Sequence, residues 1–243
     1  MTQKPDSSFR LFQVAGITVY LHYIWLIVAY WQIVQRAGAH SSIIWNIGEY
    51  LALFGIVLLH EFGHAFATRQ VGGSADTILL WPFGGIAYVQ APARPGAELW
   101  SIAAGPLVNV ALVVPFTLVL TLSGLPIFGE VHSDLGRFLQ YIWRINLGLL
   151  IFNILPIYPL DGGQILRSLL WYKFGPIRSL LYATMVGFVG VAVFALYTLY
   201  ILVNYSLESA LWMGFLTFYV FSNCRQAYLF AKTANNPARP RPF

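Results

Sequence analysis

Leu58-Leu59-His60-Glu61-Phe62-Gly63-His64-Ala65-Phe66-Ala67 sets two histidines four residues apart inside an apolar run. At that spacing both imidazoles lie on one face of a helix, close enough to share one Zn²⁺, and Glu61 on the adjacent face can take a proton from water. Zinc lowers the pKa of its water to about 7, so this combination is a hydrolytic device at neutral pH. The pattern alone is common by chance, but here it ends a segment, residues 43 to 69, long and apolar enough to cross a bilayer. An ionised side chain at the centre of such a segment costs on the order of 2.5–3.5 kcal/mol, so it marks function by default. The alternative is two histidines and a glutamate that merely hydrogen-bond between helices.

The rest of the chain agrees with a membrane setting. Of 243 residues, 58% are apolar and 9% charged, with a mean hydropathy of +0.67. That composition excludes the charged surface of a soluble domain. Apolar length, turn residues and prolines predict helices near 17 to 35, 43 to 69, 97 to 122, 137 to 156, 178 to 203 and 207 to 231. The predicted fold is therefore an all-α polytopic membrane protein of about six transmembrane helices, one domain over residues 1–231, followed by a short disordered basic tail at 232–243. With a cytosolic N-terminus, Lys4, Arg10, Arg69, Arg94, Arg167, Lys173, Arg178, Arg225, Lys232, Arg239 and Arg241 fall inside, whereas outside loops hold Arg36 and Arg137. The positive-inside rule then puts both termini in the cytosol, most simply at the cell membrane. The net charge of +5 is scattered without a basic patch, so no nucleic-acid partner is expected. A single cysteine, Cys224, leaves histidine and carboxylate as metal ligands.

Two inside connections carry structure of their own. Thr77 to Trp81 and Ile86 to Val89 flank Pro82-Phe-Gly-Gly85, which predicts a small β-hairpin after the second helix. Gly162 to Phe174 sets Ile165, Leu166, Leu169 and Leu170 against Arg167 and Lys173, the pattern of a short helix lying at the interface.

A catalytic zinc usually has three protein ligands and one open position. Asp161 is the best candidate for the third: it follows Asn153-Ile-Leu-Pro156-Ile-Tyr-Pro-Leu-Asp161-Gly-Gly163, on the same predicted side of the membrane as the histidines. Its alternative role is N-cap of the helix beginning near Gly162. Asp76, Glu98 and Asp134 fit less well by position. Asn153 can donate its amide to the oxyanion formed when a peptide carbonyl is attacked. Asn109, in Gly105-Pro-Leu-Val-Asn109, is a second polar residue in an apolar helix and a candidate substrate contact. Interhelical hydrogen bonding is the alternative for both asparagines. His22 and Arg144 read as structural, with Arg144 snorkelling or pairing with a polar neighbour.

Three motifs in order, His60-Glu61-Phe62-Gly63-His64, Gly105-Pro106-Leu107-Val108-Asn109 and Asn153 to Gly163, resemble the site-2 protease family of intramembrane zinc metalloproteases. The resemblance is nearest to the six-span branch that includes the sporulation protease acting on a pro-sigma factor. It implies zinc held by His60, His64 and Asp161, Glu61 as catalytic base and Asn153 near the reacting carbonyl. It also implies that Thr77 to Val89 corresponds to the family's membrane-associated hairpin. The PDZ and CBS modules of other members are not expected here. The implied activity is hydrolysis of a peptide bond in or near the transmembrane segment of another membrane protein, with that protein and the lipid bilayer as partners. On physical grounds the hairpin offers Ile86, Ala87 and Tyr88 as an edge against which an unwound substrate can pair. A metal transporter would instead repeat acidic or histidine ligands along several spans.

Overall fold

The computed structural model describes residues 7–36, 38, 40–81 and 84–235, with side chains of residues 84–87 left aside. Strands β1 (Ser8–Val14) and β2 (Ile17–His22) are followed by helices α1 (Ile24–Gln35) and α2 (Ile43–Gln70), then by strands β3 (Ser74–Trp81) and β4 (Gly84–Gln90). Helices α3 (Pro95–Leu122), α4 (Asp134–Ile154), α5 (Asp161–Asn204) and α6 (Leu207–Ala234) follow. Six helices of the expected order stand among the described residues, the fifth carrying a break. Among the described residues α2, α3 and α5 are long and apolar enough to cross a membrane. Along α5, Val189, Leu196 and Val203 are exposed, as suits side chains facing lipid rather than water.

The expected first span needs correction. Residues 17–22 are strand, and the helical part, Ile24–Gln35, has 12 residues, about 18 Å, short of a hydrocarbon core of about 30 Å. Ile17, Thr18 and Val19 are β-branched, and the turn before them is a two-residue hairpin loop with Ala15 at φ 49° and Gly16 at φ 72°. A strand buried on both faces is as continuously apolar as a buried helix, so hydropathy merged the two.

The two strands of the expected hairpin pair, with Gly84 and Gly85 in β4 rather than in the turn and Pro82 and Phe83 outside the described residues, and they belong to a larger sheet, in the order β1-β2-β3-β4. The β1–β2 and β3–β4 pairs are antiparallel, whereas β2 and β3 run parallel, with Thr18 opposite Thr77 and Leu21 opposite Leu80. Parallel neighbours need a crossover, and here α1 and α2 form it. Ile17, Val19 and Leu21 of β2 join Ile78 and Leu80 of β3, Trp25 of α1, and Val57 and Ala65 of α2 in one buried cluster. That cluster holds the last turns of α2, where the histidines sit, against a sheet.

The chain divides into two compact units: residues 1–92 with 104–151, and residues 93–103 with 152–243. In the first, a buried charge network grips the other end of α2. Glu49, wholly buried, takes two hydrogen bonds from Arg36, at 2.5 and 3.0 Å, and one from His40 Nε2 at 2.8 Å. His40 Nδ1 lies 3.4 Å from Asp134, which also accepts from the N–H and hydroxyl of Ser41. Those bonds from Ser41 hold the Asp134 carboxyl below the usual range. Removing one partner of a buried ion pair strands the other. Glu49→Ala is therefore expected to destabilise the fold by about 3–5 kcal/mol, measured by unfolding in mild detergent, and a parental midpoint would contradict the role given to this network.

In the second unit, α5 is two helices joined at Gly175, whose φ of 76° and ψ of 172° interrupt the ladder just before Pro176. The segment from Asp161 to Phe174 is thus the separate short helix that its amphipathic pattern predicts. Glycine allows the positive φ, and proline starts the second helix where no donor is needed.

Candidate metal centre

Helix α2 brings His60, Glu61 and His64 together, all buried, with one ligand atom from each lying within 4.8 Å of the others. His60 Nε2 and His64 Nε2 face each other at 3.0 Å. Two nitrogens on a tetrahedral Zn²⁺, each about 2.05 Å from the metal, lie about 3.3 Å apart, so the pair needs to open by only a few tenths of an ångström.

Room for an ion is made by α3. A methyl built on Gly105 would overlap His64 Nε2 and stand 2.8 Å from His60 Nε2. Between the two histidines on α2, Gly63 lets the backbones meet: a Cβ there would come within 2.7 Å of the Ala104 carbonyl. Small residues on both helices place the imidazole edges against bare backbone, the close approach usual between membrane helices.

Asn109, one turn beyond Gly105 on α3, makes the interhelical hydrogen bonds that stood as the alternative to a substrate contact. Its Oδ1 lies 2.6 Å from His60 Nδ1, and its Nδ2 donates to Asn146 Oδ1 at 2.7 Å. The side chain is wholly buried and bonded at both ends. A histidine ligand held through its other ring nitrogen is the usual companion of a metal site. Together with the facing Nε2 atoms and the Gly105 cradle, this bond makes the residues present fit a zinc ion.

Asn146, on α4, escaped the sequence analysis. The signal was available: it is a polar residue in the apolar run Ile145-Asn-Leu-Gly-Leu-Leu150, and it lies two turns before Asn153 on the same helix. Arg144 pairs with Gln140, and His22 accepts from Ile24 N–H and stands edge-on to Trp81, so both are structural as expected.

Asn153 and Asp161 belong to the second unit. Asn153 is half-buried in the last turn of α4. Asp161 is the first residue of α5; the N-cap position falls on Leu160, with no side-chain cap bond. Gly162 and Gly163 press against the backbone of Ile154 to Tyr158, where a Cβ on either would overlap main-chain atoms. The three carboxylates set aside on position have other partners: Asp76 meets Arg69, Glu98 meets Arg167, and Asp134 meets His40 and Ser41. Ile86, Ala87 and Tyr88 lie on β4, an outer strand of the sheet, with Tyr88 exposed.

These features define a class: an integral membrane protein with a buried His-Glu-His set at the end of a helix able to cross the bilayer. The chain belongs to Peptidase family M50, whose sequence profile matches residues 49–135 and 128–197. It is similar to a zinc metalloprotease of Methanocaldococcus jannaschii, 33% identical over 180 residues, which cover 74% of this chain and 50% of that one. It is also similar to stage IV sporulation protein FB of Bacillus subtilis, 34% identical over 118 residues, covering 48% and 38%. Among solved structures, a site-2 protease from Methanocaldococcus jannaschii superposes with a TM-score of 0.63 at 26% identity, covering 97% of this chain and 99% of that one. The chain spans about half the length of the relatives it matches in sequence.

Proposed function

We propose that the protein is an intramembrane zinc metalloprotease that hydrolyses a peptide bond in or near the transmembrane segment of another membrane protein. The observation that carries this reading is the buried facing pair His60 and His64, with Glu61 beside it, on a helix able to cross the bilayer. Zinc held there supplies the Lewis acidity that lets water ionise near neutral pH. Glu61 takes the proton from that water and returns it to the departing amine, a transfer its buried carboxylate can make without competition from bulk solvent. Asn153 donates its amide N–H to the carbonyl oxygen as negative charge develops there. His60 and His64 would hold the metal, with Asp161 as the proposed third ligand. Cleavage takes place at the cell membrane with both termini in the cytosol, and released fragments pass to regulation.

Purified protein is expected to carry about one zinc per chain, in line with a two-histidine, one-carboxylate set. Asp161→Ala should lose most of that metal on dialysis, and cleavage of single-span membrane substrates should fall with it. Full zinc and full cleavage in Asp161→Ala would return Asp161 to a purely structural part.

Substrate is held by strand addition. A transmembrane helix hides its peptide bonds, so the segment must unwind, and an outer strand offers the lost hydrogen bonds back. β4 occupies that outer position. Among prolines placed singly at Ile86, Ala87 and Tyr88, those that remove an outward N–H are expected to slow cleavage without releasing zinc. Parental cleavage and parental substrate crosslinking in all three would eliminate strand addition.

A further inference from the structure

We propose that Asn146 is a positioning residue that fixes the protonation pattern of His60 through Asn109; this rests on the zinc reading above. One atom in this chain of bonds cannot reverse its role. Asn146 Nδ2 donates to the backbone carbonyl of Asn109 at 3.0 Å, and a carbonyl only accepts. The Asn146 amide is thereby oriented, and its Oδ1 faces the Asn109 side chain. Asn109 must then present Nδ2 to that oxygen, as it does at 2.7 Å. Its Oδ1 is left facing His60 Nδ1 at 2.6 Å, so that nitrogen carries the hydrogen. His60 Nε2 therefore points a lone pair at His64, on the side where the metal is held.

An amide has nearly the same shape after a half-turn, so packing alone does not choose between the two orientations of Asn109. In the flipped state its NH₂ would face His60, which would have to accept at Nδ1 and carry its proton on Nε2. A proton there blocks coordination. Asn109 and Asn146 are both wholly buried, so no water relieves a reversed link. The polarity of three hydrogen bonds is thus set from the main-chain carbonyl of Asn109, passed through Asn146 on α4, and delivered to a metal ligand on the neighbouring helix α2.

The test uses the full chain in detergent. Zinc affinity is measured by chelator competition, and the His60 tautomer by ¹⁵N NMR in zinc-free protein. Asn146→Leu keeps the branched shape and heavy-atom count and removes both bonds; it should weaken zinc about 10- to 100-fold and populate the Nε2–H tautomer of His60. Asn146→Asp should restore both readouts, because a buried carboxyl stays neutral, accepts from Asn109 Nδ2 and donates its O–H to the Asn109 carbonyl. Parental affinity in Asn146→Leu would overturn the proposal, as would equal losses in both variants, which would indicate packing. Should Asn146→Leu fail to fold, the parental tautomer decides: Nδ1–H supports the proposal and Nε2–H sinks it. A parental protein that takes up no zinc would refute the proposed function, while the tautomer would still judge Asn146.

Discussion

Glu61→Gln is expected to lower cleavage of a membrane-protein substrate by at least about 100-fold while zinc content stays near that of the parent. The amide keeps the shape of the carboxylate but cannot take a proton from water near neutral pH. Glu61 is buried beside the two histidines, so no solvent base stands in for it. Metal binding and chemistry therefore separate in this variant: His60 and His64 remain, and the proton acceptor is gone. Zinc analysis and single-turnover cleavage on the same preparation give both readings. Cleavage at the parental rate by zinc-loaded Glu61→Gln would show that another group acts as the base.

Gly105→Ala adds one methyl and is expected to reduce zinc affinity by about 10-fold or more. The added carbon would overlap His64 Nε2 and crowd His60 Nε2, the two atoms that would hold the metal. The His64 ring can escape only by leaving its rotamer or its place, at about 0.5–1.5 kcal/mol before the lost ligand is counted. Relieving the clash through a flexible side-chain end leaves the fold standing, so the variant should purify as a folded protein with a damaged site. Gly55→Ala is the matched control: it lies on α2, and a Cβ there meets nothing within 4 Å. Alanine there should retain zinc and favour the helix by about 0.5–1 kcal/mol. Equal zinc affinity in Gly105→Ala and the parent would mean that the metal does not sit between the imidazoles and α3.

Membrane residence, the HExxH helix, the hairpin after it and the break before Pro176 were all legible from the residues, because each is a property of one continuous segment. Apolar length needs no partner to be recognised. Histidines four apart share a helix face wherever that helix packs, and Gly175-Pro176 interrupts its own ladder. What escaped depends on a second segment. Residues 17–22 read as the start of a span because an apolar run buried on both sides looks alike in strand and helix; pairing with β1 and β3 made it a strand. For Asn109 the residues left a substrate contact and interhelical hydrogen bonding side by side, and only the packing brings Asn146 of α4 to one end of its amide and His60 of α2 to the other. Glu49 showed nothing of its burial with Arg36 and His40, and Gly105 nothing of the imidazoles beside it. Periodicity reports the face that a residue occupies. The polarity of a hydrogen bond and the room for an ion arise only where two faces meet, so the sequence by itself determined the chemistry this helix could carry, and the tertiary structure decided which atoms of α3 and α4 orient it.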